Sequence, residues 1–313
     1  MEKINCPICD TNNFDLILKG NDTLHNIKGE FEVVRCVRCG LMLTNPRPSL
    51  NEIKKYYPDD YAPYGADFKR AKEVAKLRKK YKWFFGIIDP KMTLDLNTNQ
   101  ENASVLEIGC GAGNFLYELQ SLHPRWNIKG TDFSEKIIDN LKRCNLDVFV
   151  SDLTALNLAS ESVDIVYGWM IMEHIHSINK ALSEIHRVLR DDGKFSFSIP
   201  NAGSWEFNFF GKNWFALQLP SHLYHFTEST ISKILEKNGF EVEKIIHQKS
   251  VTNIFLSLRI IVEKSFLPKS VKFFLNRMLE WNIIYFILTL PLASILAFIG
   301  QSGRLTIIAS KKV

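Results

Sequence analysis

Hydrophobic residues along this chain fall into short runs separated by polar stretches and glycine turns. In the middle of the chain such runs fall at residues 103–108, 126–131, 147–150, 163–168 and 194–199, the first of them strongly apolar. Segments of that length predict strands. Helical spacing fills the gaps at about 114–122 and 178–189. A further helix over 228–238 stops at Asn238-Gly239, a strand follows at 239–246, and 304–310 predicts a last strand. Alternation of strand and helix implies a doubly wound α/β fold with a seven-stranded sheet.

The stretch between those last two strands is far longer than an ordinary connection and reads as an insertion. Residues 281–303 carry no charge, and 283–299 are about long enough to cross a bilayer. One crossing would strand the flanking β-segments on opposite faces of the membrane, although both must join one sheet. The remaining options are a hairpin broken at Pro291, an interfacial helix pair, or a homodimer surface. Lys264, Lys269, Lys272 and Arg277 outnumber Glu263 and Glu280 just upstream, a balance suited to anionic headgroups. Peripheral membrane contact through 264–299 is therefore expected.

The 313 residues are 46% hydrophobic and 23% charged, which excludes a wholly disordered chain. A net charge of +5 is mild for a nucleic-acid binder, so no nucleic-acid partner is expected. The first residues contain no apolar leader, and a cytoplasmic protein at the inner face of the membrane is expected. In a reducing compartment paired cysteines read first as metal ligands. Cys6-Pro-Ile-Cys9 and Cys36-Val-Arg-Cys39 are two such hooks, and together they supply four soft ligands for tetrahedral Zn2+. With all positions filled by protein, the metal would be structural. Short strands at 14–17 and 31–35 complete a zinc ribbon, while Cys110 and Cys144 stand alone.

The first core strand runs into Glu107-Ile108-Gly109-Cys110-Gly111-Ala112-Gly113. Glycines let a backbone approach a ligand closely. Dinucleotide-binding turns use a related pattern. The spacing here is G-x-G-x-G, and Glu107 would repel a pyrophosphate but suit a cationic amino group. Asp132 closes the second strand, where a carboxylate accepts from ribose hydroxyls. Asp152 follows the third strand, placed either to accept from an exocyclic adenine amine or to cap a helix. Trp169-Met170-Ile171-Met172-Glu173-His174 follows the fourth.

This order resembles the class I S-adenosylmethionine methyltransferases over residues 103–200. The hooks, followed by Cys39-Gly40-Leu41 and Asn45-Pro46-Arg47-Pro48, resemble a branch bearing an N-terminal zinc module, which includes sugar C-methyltransferases. The resemblance implies S-adenosyl-L-methionine as cofactor, with Gly109, Gly111 and Gly113 at its methionine end. It places Asp132 at the ribose and Asp152, with Leu153, near the adenine. The implied organisation is a zinc ribbon (1–48), a helical and tyrosine-rich connector (49–102), the core (103–250), the hydrophobic insertion (251–303) and the final strand (304–313).

Methyl transfer mainly requires alignment of donor and acceptor, and a base where the acceptor must lose a proton. Pro220-Ser221-His222-Leu223-Tyr224-His225-Phe226 is expected on a loop at the carboxyl edge of the sheet, with His225 the first candidate base and His222 the second. The sugar C-methyltransferases place their base in this region. His174 is a third candidate. The aromatic segment 205–215 predicts either a lid or the packing of an extra helix, and Tyr56, Tyr57, Tyr61 and Tyr64 a second wall. The expected acceptor is a small molecule or saccharide, lipid-linked among the options. The alternatives are a zinc-ribbon RNA methyltransferase and a non-catalytic scaffold.

Overall fold

The computed structural model describes residues 1–25, 27–57, 73, 76–77, 80–81, 101–279 and 283–312. Most of the 49–102 connector, with Tyr61 and Tyr64, lies outside the described residues, as does Trp281. In chain order come β1 (Phe14–Gly20), β2 (Phe31–Cys36), β3 (Met42–Thr44) and β4 (Ser104–Ile108). Next are α1 (Asn114–Leu122), β5 (Asn127–Asp132), α2 (Glu135–Arg143), β6 (Val148–Val150) and β7 (Val163–Trp169). Then follow α3 (Ile178–Val188), β8 (Leu189–Pro200), α4 (Trp205–Phe210), β9 (Tyr224–His225) and α5 (Glu228–Lys237). The chain ends with β10 (Phe240–His247), α6 (Thr252–Lys264), α7 (Lys269–Met278), α8 (Ile283–Phe298) and β11 (Arg304–Lys311). These elements form two compact units, one of residues 57–199, 231–245 and 306–313 and one of residues 1–56, 200–230 and 246–305.

The first of these units is built on a seven-stranded sheet of order β10-β11-β8-β7-β4-β5-β6. Strands β4, β5, β6, β7 and β8 run parallel. Gln248 N donates to Arg304 O and Lys312 N to Gly239 O, so the end of each of β10 and β11 meets the start of the other and the pair is antiparallel. β4 and β7 lie at the centre, and their side chains are buried along almost their whole length. The chain leaves β4 toward β5 and β6, then returns to the opposite side of β4 at β7. That reversal opens a crevice at the carboxyl ends of β4 and β7.

Helices cover the sheet through spaced apolar residues. α1 buries Phe115, Leu116 and Leu119, and α3 buries Ile178, Ala181, Leu182, Ile185 and Val188. α2 starts at Ser134, whose side chain accepts from Ile137 N, and ends with Lys142 and Arg143 near its carbonyls. β8 departs from expectation by beginning at Leu189, directly after α3. Its pairing with β7 jumps from Leu189 to Lys194, so Arg190 to Gly193 form an irregularity within the strand. A Cβ on Gly193 would lie 2.9 Å from Arg190 O, which explains a glycine there.

The second unit carries a four-stranded sheet of order β1-β2-β3-β9. Residues 224–225, expected on a loop, instead add a strand antiparallel to Met42–Leu43. Thr44 stitches the junction, its N donating to Leu223 O at 3.0 Å and its Oγ1 to His222 O at 2.8 Å. In the aromatic segment Phe207, Phe210 and Trp214 are buried and serve as packing core, while Phe209 is exposed. α6 packs on the short 3-10 turn 215–217, α4 and α7. Among the described residues no helix is long and apolar enough to cross a membrane.

Candidate functional site

The glycine turn follows β4 at the crevice. Gly109, Gly111 and Gly113 have φ of 63°, 46° and 71°, a region that L side chains rarely adopt. A Cβ on Gly109 would lie 2.7 Å from Ile171, and one on Gly113 2.7 Å from Leu141. Gly113 is the N-cap of α1 and offers no side chain to its first N–H groups.

Asp132 ends β5 beside this turn. Its Oδ2 accepts from Gly111 N at 3.1 Å and its Oδ1 from Ser134 N at 3.0 Å. Burial raises its carboxyl above the ordinary range despite those donors. Each oxygen keeps acceptor capacity for a further donor. Burial, and then the charges of Glu107 and Asp132, push the Cys110 thiol strongly up, so both carboxylates lie within electrostatic reach of the turn. Glu107 itself is buried in β4.

After β6, Asp152 is exposed and its Oδ1 accepts from Thr154 N at 2.9 Å and Thr154 Oγ1 at 2.7 Å. It closes a turn, since no helix follows. Leu153 beside it is buried at φ 67°. After β7, Met170 adopts φ 54° and a 3-10 turn spans Met172–His174. His174 Nδ1 lies 2.9 Å from Tyr57 Oη, and the Tyr57 ring meets Phe133 edge-on at 5.8 Å. Phe133 was missed in the sequence, where only its position after Asp132 marked it. Tyr56 packs elsewhere, against Phe31 at 5.7 Å.

His222 and His225 belong to the unit with the four-stranded sheet, and both are buried. His222 Nδ1 lies 2.8 Å from Ala216 O. A carbonyl only accepts, so Nδ1 carries a proton. His225 Nε2 lies 3.2 Å from Thr44 Oγ1, whose own proton goes to His222 O. His225 Nε2 is thus the donor. Complete burial lowers its pKa to about 3, so the ring stays neutral. Arg47, from the Asn-Pro-Arg-Pro segment, donates to Tyr224 Oη at 3.1 Å and Glu2 Oε1 at 2.8 Å.

In the same unit Cys6, Cys9, Cys36 and Cys39 converge, with all four sulfurs within 4.8 Å of one another. Cys6–Cys39 and Cys9–Cys36 are each 3.4 Å apart. A tetrahedral Zn–S bond of about 2.3 Å sets sulfurs roughly 3.8 Å apart, so the quartet fits. The hooks are shaped by Asp10 N donating to Cys6 O at 2.8 Å and Gly40 N to Cys36 O at 2.9 Å.

Among known proteins, a family model described as a methyltransferase domain matches residues 79–245, more than half of the 313-residue chain. A protein of Mycolicibacterium smegmatis described as a probable S-adenosylmethionine-dependent methyltransferase is 30% identical over 141 residues, 44% of this chain and 52% of its own. A malonyl-acyl-carrier-protein O-methyltransferase of Methylococcus capsulatus is 32% identical over 101 residues, 31% of this chain and 37% of its own. The chain thus spans about half or less of the length of these relatives. A chain from the complex between the Haloferax volcanii Trm112 methyltransferase activator and a methyltransferase superposes with a TM-score of 0.49 at 16% identity, covering 78% of this chain and 98% of that one.

Proposed function

The chain belongs to the methyltransferase-domain family, of the class I S-adenosylmethionine-dependent kind, and on that premise we propose that it methylates a small-molecule or saccharide acceptor. The observation that carries the reading is Asp132, whose two oxygens bridge Gly111 N and Ser134 N beside a turn of three positive-φ glycines. When bound, S-adenosylmethionine supplies an electrophilic methyl group on a sulfonium.

The residues fit such a ligand. Asp132 offers acceptors to ribose hydroxyls, and Glu107 gives the turn a negative charge that favours an ammonium group. The backbone of Gly109, Gly111 and Gly113 allows close approach. The turn at Asp152 and Leu153 is the adenine-side candidate, with Asp152 Oδ2 to accept from an amine.

Of the histidines, the hydrogen bonds favour His222 as base. Its Nδ1–H is tied to Ala216 O, which holds the ring in place and makes Nε2 the nitrogen proposed to take the proton. His225, at about 3, is too weak a base near neutrality and supports the strand junction instead. His174, paired with Tyr57, is proposed to orient rather than to take the proton. The sulfur quartet is proposed to hold one structural zinc, as in the zinc-bearing branch. Residues 264–299 are proposed to meet a lipid surface at the inner face of the membrane, which suits a lipid-linked acceptor.

Two measurements test the reading. Titration calorimetry with S-adenosylmethionine should show binding that Asp132→Ala weakens. Labelled methyl donor offered with nucleotide-sugar and lipid-linked acceptors should mark one class. Absence of heat with S-adenosylmethionine would refute it.

A further inference from the structure

α7 is built inside out. Lys272 Nζ donates to Glu263 O at 2.6 Å, and Asn276 Nδ2 bonds Glu263 Oε1, so its polar side is turned toward α6. Its phenylalanines point to solvent, Phe273 at 74% and Phe274 at 63% exposure. Phe266 is fully exposed in the turn before it, and Leu267 is exposed beside it. A water-facing helix ordinarily shows the reverse arrangement, with apolar residues inward. Further along the same unit α8 exposes Leu292, Ile295 and Phe298, with Ile299 exposed just after it, while burying Ala293 and Leu296. Large apolar side chains left together at a surface mark a contact site.

Charge selects the occupant. Between residues 259 and 280 the cations Arg259, Lys264, Lys269, Lys272 and Arg277 stand against two carboxylates, Glu263 and Glu280. On α7 the exposed residues Lys269, Phe273 and Arg277 follow at i, i+4 and i+8, so cations bracket the aromatic row. A two-fold pairing of this face with a second copy would set its cations against one another, whereas the cores of protein interfaces are depleted in lysine. Mixed aromatic and cationic residues match an anionic bilayer surface, with rings in the acyl boundary and ammonium groups among the headgroups. At 10 residues α7 is about 15 Å long, far short of a crossing, and would lie in the interface.

We propose, on the lipid-surface reading of residues 264–299, that the turn at Phe266 and the outward face of α7 form an anionic-bilayer docking surface. Phe266, Phe273 and Phe274 enter the lipid, and Lys269 and Arg277 hold the headgroups. The occupied face would keep the chain at the surface from which a lipid-linked acceptor is presented.

The test is flotation of the full chain with phosphatidylcholine vesicles, with and without phosphatidylserine. The wild type should float with the anionic vesicles and release in high salt. Phe266→Gln, Phe273→Gln and Phe274→Gln together should lower partitioning by at least roughly ten-fold. Lys269→Glu with Arg277→Glu should abolish the preference for phosphatidylserine. Both variants should bind S-adenosylmethionine as the wild type does, which shows that they fold. A wild type that binds S-adenosylmethionine but floats with neither vesicle overturns the docking and leaves the methyltransferase reading standing. Self-association that the triple variant dissolves, without flotation, also overturns it and assigns the face to a second copy. Intact flotation with no transfer to any lipid-linked acceptor would instead defeat that acceptor class alone.

Discussion

The Glu206→Gln variant should gain stability relative to the wild type progressively between about pH 4.5 and about pH 7. Glu206 sits on α4 with no solvent exposure. It accepts from Trp214 Nε1 and Gly303 N, each at 3.2 Å. A Cβ on Gly303 would fall 2.1 Å from its Oε2, so the carboxyl packs directly on the backbone that leads into β11. Burial raises its pKa from 4.5 to about 7, outweighing the lowering by Trp214, Gly303, Arg304 and Asn253. Because the folded value lies above the unfolded one, the protonated form favours folding. Its contribution is complete below about pH 4.5 and is lost as pH rises through about 7. A shift of that size corresponds to ~3 kcal/mol against the wild type at alkaline pH. Glutamine stays neutral at every pH but keeps an acceptor oxygen for only one of the two donors, since Trp214 Nε1 meets Oε2 and Gly303 N meets Oε1; that loss is the same at every pH. Urea unfolding followed by tryptophan fluorescence should show the stability of Glu206→Gln relative to the wild type rising by ~2–3 kcal/mol between about pH 4.5 and about pH 8. A difference that does not change with pH would refute the account.

Three further outcomes follow from the same geometry. Cys9→Ser or Cys36→Ser should lose bound zinc by atomic absorption and release the N-terminal fold to proteolysis, as a strong chelator should in the wild type, while Cys144→Ser should do neither. His222→Gln should cut kcat by about 10²–10⁴-fold with little change in S-adenosylmethionine affinity, whereas His225→Gln should mainly lower the melting temperature; the opposite pairing would return His225 to the role of base. Gly109→Ala should weaken S-adenosylmethionine binding in calorimetry, and Ile171→Ala added to it should restore part of the loss, because the added methyl meets Ile171 at 2.7 Å while the φ of 63° stays strained.

The core sheet was legible because short strand-length segments alternate with stretches of helical spacing and end at glycines or acidic residues, even where, as at 126–131, the segment is not continuously apolar. β4, β5 and β7 therefore lie within a residue or so of their expected bounds. β8 was misread at its start because Asp191-Asp192-Gly193 carries the composition of a turn. The pairing of Leu189 with Val163 holds the chain in the strand and makes those residues a bulge instead. The glycine turn was legible for a different reason, since positive φ and close approach restrict the residue type itself.

What escaped the sequence depends on partners distant along the chain. Tyr224 and His225 look like a polar loop until the edge of β3 reaches them, and that edge comes from residues 42–43. The ranking of the two histidines turns on the same seam. Nothing near His225 in sequence predicts that Thr44 will accept from its ring while giving its own proton to His222 O. One threonine hydroxyl thereby assigns the Nε2 proton of His225 and holds the carbonyl of His222, while Ala216 O takes the Nδ1 proton of the His222 ring. Thr44→Val tests this coupling. It removes the acceptor for His225 and the donor to His222 at nearly constant volume, so the stability loss should be about 1–3 kcal/mol. If His222 is the base, the pH–rate profile should keep its shape in that variant while the rate falls, because the Ala216 bond that sets its tautomer is untouched. A displaced acid limb would mean that the seam tunes the catalytic proton directly.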